Sequence, residues 1–198
     1  GDMLDAVNIP CVQETVVESR EDALKEATKL GFPVVMKVVG PLHKSDVDGI
    51  VLNVGDNETV EKEFDRLMAV KGTTAVLIQP MLKGTELYIG SKKADNFGHL
   101  ILCGLGGVFI EVLKDISFSL APVGIEEATS MIKKLKGYQI IRGVRGSKGI
   151  NEAEFARIIT SISALVSCAP EIVELDMNPL LGDARTITAV DARIRIEK

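Results

Sequence analysis

The apolar run from Val34 to Val39 constrains the fold of this chain more than any other feature. Four of its six residues are valines, and Lys37 is its one charged residue. A β-branched run without polar alternation predicts a central strand that is covered on both faces. An ammonium group on such a strand needs a partner or a water-filled cleft, because burying it unpaired is costly. Lys37 is therefore a candidate ligand for an anion such as a nucleotide phosphate.

Helix and strand patterns alternate on either side of this run. Ser19 with Asp22 three residues later predicts a helix start, Gly31 predicts its end, and Asp56 predicts the cap of a second helix. The predicted strands are 34–39, 50–54, 75–79, 86–92, 99–103, 108–113, 117–121, 172–178 and 186–196, and further helices are predicted over 126–136 and 152–167. The fold class that follows is mixed α/β.

The pattern changes at Lys83-Gly84, where a β-α-β arrangement gives way to a strand-rich part. We expect two lobes, over residues 1–83 and 84–198. A chain of 198 residues with 46% hydrophobic residues can bury a core as one domain or as two small lobes. The pattern after Gly1-Asp2 indicates that the sequence begins within a secondary-structure element, so we also expect a piece of a longer protein.

Composition excludes several classes of function. A net charge of -5, without a cluster of lysine and arginine, gives no electrostatic footprint for nucleic acid. Cys11, Cys103 and Cys168 lie far apart without CxxC spacing, which indicates neither a disulfide framework nor a zinc site. The longest apolar stretch, residues 100–110, is too short to span a bilayer. A reduced, cytoplasmic protein is the expectation.

His43 lies in the polar loop that follows the central strand, and it is one of only two histidines. An imidazole with a pKa near ~6.5 is largely neutral at pH 7, so one ring nitrogen has a free lone pair for nucleophilic attack on phosphorus. A histidine in a polar loop between strands is also often solvated and without catalytic role. On the residues alone, both interpretations stay open.

Acidic and amide side chains alternate along the strand predicted near the C-terminus. Glu174, Asp176 and Asn178 point to one face, and Pro179 is expected to end the pairing. If this strand pairs with the last one, Asp176 and Asn178 converge with Asp191. Such an oxygen-rich set suits Mg²⁺, which completes its octahedron with water and phosphate oxygens. Acidic residues on an exposed sheet face can equally be solvated without binding a metal.

The glycine turn Gly104-Leu105-Gly106-Gly107 lies between two predicted strands. It is neither a Rossmann fingerprint nor a Walker loop, since no helix and no GK[ST] follows it. Its amides can form an anion-binding nest, and a plain hairpin turn is at least as common.

Four motifs occur together in a characteristic order along nearly the whole chain. They are Gly31-Phe32-Pro33-Val34-Val35-Met36-Lys37, then His43-Lys44-Ser45-Asp46, then Gly104-Leu105-Gly106-Gly107-Val108-Phe109-Ile110-Glu111-Val112 with Lys114-Asp115, and finally Glu174-Leu175-Asp176-Met177-Asn178-Pro179-Leu180 with Val190-Asp191-Ala192-Arg193. The series resembles the ATP-grasp domain, as a beta subunit or its fused equivalent, of ADP-forming acetyl-CoA and acyl-CoA synthetases. The resemblance implies an ATP-grasp fold with ATP or ADP bound between its two lobes.

The resemblance also implies roles for individual residues. Lys37 matches the strand lysine that contacts nucleotide phosphates, and Glu86 the acidic residue that holds the ribose. His43 matches a second histidine that relays a phosphoryl group from a phosphohistidine on the CoA-binding partner. The remaining matches are Gln79 to Leu82, including Met81, for the segment at the adenine; Gly106 and Gly107 for the phosphate turn; and Asn178 and Asp191, with Asp176 adjacent, for Mg²⁺.

Acid-CoA ligase chemistry is thus the leading expectation: acyl-CoA, ADP and phosphate interconvert with carboxylic acid, ATP and CoA. No stretch of the chain remains for a CoA-binding domain, so we expect a partner chain or flanking domain to supply it. A regulatory ATP-grasp-like module of a protein lysine acetyltransferase is an alternative from another class, and a succinyl-CoA synthetase beta-like subunit is a third.

Two positions depart from the family pattern. Ser119 stands where relatives usually have arginine, which removes an expected positive charge that Arg145 or Arg193 can replace. Asp48 stands where glycine is common.

Overall fold

The computed structural model describes residues 2–40, 49–94, 96–107, 109–144, 146 and 148–197. In chain order the elements are α1 (Asp2–Asp5), β1 (Thr15–Val17), α2 (Arg20–Leu30), β2 (Val34–Val39), β3 (Ile50–Val54), α3 (Asn57–Met68), β4 (Ala75–Pro80), β5 (Thr85–Ala94), β6 (Gly98–Leu105), a π-helical turn (Phe109–Leu113), β7 (Ile116–Leu120), α4 (Ile125–Lys133), α5 (Tyr138–Arg142), α6 (Glu152–Cys168), β8 (Ile172–Gly182), β9 (Ile187–Ala189) and β10 (Ala192–Ile196). Within these ranges, none of the helices combines the length and apolar character needed to cross a membrane.

Two compact units make up the chain. The smaller comprises residues 12–82, and the larger combines residues 1–11 with 83–198. The first eleven residues thus belong with the larger unit, although the sequence pattern groups them with the first lobe. The reason is packing, because Leu4 and Ile9 are buried in the core of the larger unit. The Ala189 amide also donates a hydrogen bond to the Pro10 carbonyl, at 2.8 Å.

The smaller unit is an antiparallel sheet in the order β1-β4-β2-β3, with α2 and α3 on one face. Both predicted helix caps are confirmed: Ser19 Oγ accepts from the Asp22 amide at 3.1 Å, and Asp56 Oδ1 accepts from the Thr59 amide at 2.8 Å. Gly31 ends α2 with φ at 81°. The prediction of a central strand at 34–39 is also confirmed, since β2 lies between β4 and β3.

The larger unit is an antiparallel sheet in the order β10-β8-β5-β6-β7, and β9 also pairs with β8. Helices α4 and α6 cover one face. Their apolar residues form the core with alternate strand residues such as Leu87, Ile89, Ile101, Leu175 and Met177. The intervening strand residues therefore lie on the opposite face.

The strand predicted over residues 108–113 is wrong, because residues 109–113 form a π-helical turn. Gly107, with φ at 56°, turns the chain out of β6, and Lys114, with φ at 48°, ends the turn. Val112 and Leu113 are 69% and 57% exposed, so this apolar run does not enter the core.

The prediction that Pro179 ends the pairing of its strand is also wrong. β8 continues to Gly182, and its ladder with β5 shifts register between the pairs Ile89–Met177 and Leu87–Leu180. The irregularity accommodates a residue that has no amide hydrogen to donate. The strand predicted over 186–196 is in turn divided into β9 and β10.

Candidate functional site

His43 and its neighbours Lys44, Ser45 and Asp46 lie outside the described residues, as do Asp48 and Arg145. Their predicted roles are therefore taken up only as proposals. The other candidate residues lie in the described parts of the two units.

In the smaller unit, the candidate residues lie on the sheet face opposite the helices. Lys37 pairs with Leu77 in the ladder between β2 and β4, and Val35 pairs with Gln79. Val34, Met36 and Val38 pack against α2 and α3, so Lys37 and Gln79 share the other face. We call the face formed by these four residues, Val35, Lys37, Leu77 and Gln79, the lysine face.

Both polar side chains of the lysine face are buried. Lys37 is 7% exposed and Gln79 is 1% exposed. Among the described residues, no group donates a hydrogen bond to Gln79 Oε1, although this oxygen is buried. A buried amide oxygen without a donor is unfavourable, so the lysine face offers an acceptor as well as a cation to a ligand.

The segment that follows Gln79 is anchored to the start of β2. Met81 donates its amide hydrogen to the Pro33 carbonyl at 3.0 Å, and both Met81 and Leu82 are half-buried. The Met81 amide is therefore already engaged within the smaller unit.

In the larger unit, the structure brings Glu86 against the glycine turn. The Gly106 amide donates to the Glu86 carbonyl at 2.8 Å. A Cβ atom at Gly106 would lie 3.1 Å from the Leu87 carbonyl oxygen, and one at Gly107 would overlap Glu86 Oε2. Gly107 also has φ at 56°, which L side chains rarely adopt. The close approach of the exposed Glu86 carboxylate thus depends on glycine at these positions.

Asp176, Asn178 and Asp191 lie near one another because β8 and β10 pair, which was the condition on which their predicted convergence depended. Asp176 lies opposite Arg193 in this ladder. Further along β8, the backbone N–H of Asn178 donates to the backbone carbonyl of Asp191 at 3.2 Å. All three acidic or amide residues are half-buried.

The electrostatics of this group centre on Asp176. Burial raises the pKa of its carboxyl above the ordinary value, and the negative charges of Asp191 and Glu174 raise it further. A hydrogen bond from Tyr88 and the positive charge of Arg193 act in the opposite direction on this pKa. Arg193 also lies near Asp191, with Nη2 3.8 Å from Oδ2. A carboxyl group with a raised pKa beside a second carboxylate is an environment that a cation would stabilise.

The donor set has the chemistry of a magnesium site with few protein ligands. Across the ranges that the structure describes, no three His, Cys, Asp or Glu side chains lie close enough to hold a metal ion. Asp176 and Asp191 with the amide oxygen of Asn178 fit Mg²⁺, which commonly takes one or two carboxylates and fills its shell with water and phosphate oxygens.

Tyr88 is the site residue that sequence reasoning missed. Burial, together with the charge of Asp176, hydrogen bonding to Asp176 and the charge of Glu174, raises the pKa of the phenol to about 12. The signal available in the sequence was weak, namely a tyrosine two residues before a glycine on the same strand. The structure shows its use, because a Cβ atom at Gly90 would overlap the phenol oxygen of Tyr88.

Ser119, the position where the family resemblance led us to expect arginine, lies away from this group. It pairs with Ile101, whose side chain is fully buried in the helix-covered core. Asp176 and Tyr88 lie on the opposite face of the sheet. The positive charge opposite Asp176 comes instead from Arg193.

Comparison with known proteins agrees with the resemblance found in the sequence. The model of the ATP-grasp domain family matches residues 1–196. The beta subunit of ADP-forming acetate-CoA ligase I from Pyrococcus furiosus is 36% identical over 203 residues, covering 98% of this chain and 88% of that subunit. ADP-forming acetate-CoA ligase II from Archaeoglobus fulgidus is 40% identical over 195 residues, covering 97% of this chain. The chain spans only 29% of the length of that larger ligase.

A solved structure has the same fold over almost the whole chain. It is the dinucleotide forming acetyl-coenzyme A synthetase 1 of Ca. Korarchaeum cryptofilum, in complex with coenzyme A, Ca-AMPCP and HgCl+. The TM-score is 0.90 at 32% identity, and the match covers 99% of this chain and 90% of that one. This likeness and the match over residues 1–196 establish that the chain belongs to the ATP-grasp domain family.

Proposed function

We propose that this chain is the nucleotide-binding part of an ADP-forming acid-CoA ligase. The complete enzyme interconverts acyl-CoA, ADP and phosphate with a carboxylic acid, ATP and CoA. The observation that carries the proposal is the pairing of β8 with β10, which assembles Asp176, Asn178 and Asp191. It does so in a chain that covers 88% of a beta subunit of such a ligase.

The nucleotide contacts in this proposal follow the family resemblance, residue by residue. Lys37 binds phosphate oxygens by charge-assisted hydrogen bonds, and the segment from Gln79 through Met81 to Leu82 meets the adenine. Glu86 accepts hydrogen bonds from the ribose hydroxyls. Gly106 and Gly107 carry no side chain that would keep phosphate oxygens away from the turn.

Mg²⁺ is held by Asn178 and Asp191, with Asp176 adjacent. The ion supplies charge neutralisation for the phosphate oxygens of the nucleotide. Asp176, Asn178 and Asp191 are themselves held in place, because β8 and β10 are joined by backbone hydrogen bonds at this point. Rigid placement of charge is the main demand that phosphoryl transfer makes on a protein.

His43 is the phosphoryl relay in this proposal. A ring nitrogen attacks the phosphorus of a phosphohistidine on the CoA-binding partner, and the nitrogen–phosphorus bond of that donor breaks as the new one forms. ADP then takes the phosphoryl group from His43, which returns to neutral imidazole. The partner is a CoA-binding subunit or fused domain, in keeping with the beta-subunit relatives.

The test exploits the fact that the chain has only two histidines. His99 is 5% exposed and its Nε2 lies 2.6 Å from the Ile172 carbonyl oxygen, so it is not open to a phosphoryl donor. Acid-labile radioactive phosphate on this chain therefore reports on His43. We expect labelling from γ-labelled ATP in the complex with its CoA-binding part, and we expect His43→Asn to abolish it.

The control in this experiment is binding of the ATP analogue AMPPCP with Mg²⁺, which His43→Asn should leave nearly unchanged. Labelling that persists in His43→Asn contradicts the relay role. A wild-type chain that binds Mg-AMPPCP but never carries labile phosphate would favour a regulatory module over a ligase part.

A further inference from the structure

We propose that Tyr88 is a positioning residue that holds the Asp176 carboxylate in place, and that Gly90 leaves the space in which the Tyr88 ring lies. This proposal rests on the proposed function, because it assigns Tyr88 to the site that binds Mg²⁺ and nucleotide. It concerns how this chain prepares that site rather than which ligand the site takes.

The ring of Tyr88 lies along its own strand, over Gly90. A Cβ atom at Gly90 would overlap the Tyr88 hydroxyl oxygen and would lie 2.8 Å from Cζ. Gly90 is in turn the direct partner of Asp176 in the ladder between β5 and β8. By lying over Gly90, the ring carries its hydroxyl two residues along the strand to the position of the Asp176 side chain. Any side chain at position 90 would occupy the same space.

The partner strand is irregular opposite Tyr88. Ile89 pairs with Met177 and Leu87 pairs with Leu180, so two residues of β8, Asn178 and Pro179, stand opposite the single residue Tyr88. Such a bulge re-aims the side chains next to it. Tyr88 thus lies opposite the bulge that carries Asn178, and its ring extends toward the pair that carries Asp176.

A hydroxyl donor at this place has a specific use. Arg193 lies opposite Asp176 on β10 and attracts the same carboxylate from the side away from β5. A carboxylate has about four lone-pair sites, so one hydrogen bond from Tyr88 fixes its rotation and leaves others for a cation or for water. Without the hydroxyl, the attraction of Arg193 is no longer opposed from the side of β5, and the carboxylate turns toward β10.

Tyr88→Phe removes the hydroxyl and keeps the ring over Gly90. The matched control is Tyr138→Phe, because Tyr138 also donates to a carboxylate, Glu152 Oε2 at 2.9 Å, on a part of the larger unit without candidate site residues. We expect Tyr88→Phe to weaken AMPPCP binding about tenfold in Mg²⁺, the size expected for a hydrogen bond to a charged group, and to leave binding in EDTA unchanged. Tyr138→Phe should change neither affinity.

A double-mutant cycle shows whether Tyr88 acts through Asp176. Asp176→Asn should weaken the Mg²⁺-dependent affinity by itself, and Tyr88→Phe should then add nothing. Gly90→Ala should reproduce the effect of Tyr88→Phe, since the added methyl group displaces the ring. Additive losses in the cycle would overturn the proposal.

The chain contains no tryptophan and only two tyrosines, so tyrosine fluorescence in the Tyr138→Phe variant comes from Tyr88. We expect its emission to change on addition of Mg-AMPPCP, and we expect Asp176→Asn to remove that change. Equal affinities of wild type and Tyr88→Phe contradict the Tyr88 proposal alone. A wild type that binds no Mg-AMPPCP contradicts the proposed function first.

Discussion

The lysine face of the smaller unit is cationic, whereas the group of Asp176, Asn178 and Asp191 in the larger unit is anionic. On the lysine face, the Lys37 side chain is 7% exposed on a central strand and shares this face with the buried Gln79. In the larger unit, Asp176 and Asp191 are only half-buried and lie where β8 pairs with β10, beside Arg193 and Tyr88. One region offers a cation to an anion, and the other offers anions to a cation. A nucleotide with Mg²⁺ has both binding partners: its phosphates are anions, and the metal ion is a cation.

The largest effect should come from Lys37→Met, which keeps the length of the side chain and removes its charge. We expect AMPPCP affinity to fall about 100-fold, both with Mg²⁺ and in EDTA, because a charge-assisted contact to phosphate is lost. Titration calorimetry measures this directly. The control is Lys71→Met, an exposed lysine of the same unit. Equal losses in the two variants would mean that only net charge matters.

A smaller effect is expected from Gly107→Ala, which tests the glycine turn. The added methyl group overlaps Glu86 Oε2 and also strains a residue with φ at 56°. The control, Gly98→Ala, has a comparable φ of 82° with no atom within 4 Å of the new Cβ, so it shares the strain without the collision. We expect about a tenfold loss of AMPPCP affinity in Gly107→Ala beyond that of the control, the size of one lost hydrogen bond to a charged group. Matching affinities would remove Glu86 from the site.

The smallest effect should be a shift in the titration of Tyr88. In the Tyr138→Phe variant, phenolate absorbance should rise with a midpoint near pH 12, because the pKa of Tyr88 is raised to about 12. The folded-state pKa lies above the unfolded value, so Tyr88 contributes stability that is present below pH ~10 and is lost as pH rises toward 12. Asp176→Asn should lower the midpoint. An unchanged midpoint would contradict the Tyr88–Asp176 contact.

The same comparison shows why sequence reasoning succeeded where it did. The central strand, both helix caps and the pairing of β8 with β10 follow from local patterns, such as β-branched runs, Ser19 and Asp56 at helix starts, and period-two alternation. The resemblance added Glu86, whose approach to Gly107 no spacing rule predicts. Its carboxylate and the turn are about twenty residues apart and meet only because β5 pairs with β6.

The misses have tertiary causes. Residues 109–113 are as apolar as a strand, but the positive φ values at Gly107 and Lys114 make them a π-helical turn. Pro179 predicts the end of a strand, but the register shift between β5 and β8 accommodates the proline and β8 continues past it. Tyr88 belongs to no recognisable sequence motif. Its position next to Asp176 depends on the pairing of β5 with β8 and on the space left by Gly90.

The most direct test of the central claim is a calorimetric titration of the wild-type chain with AMPPCP, once in Mg²⁺ and once in EDTA. Nucleotide binding by this ATP-grasp chain predicts one analogue bound per chain, with an affinity that Mg²⁺ increases. Absence of binding under both conditions, in a sample with a cooperative unfolding transition, would contradict it.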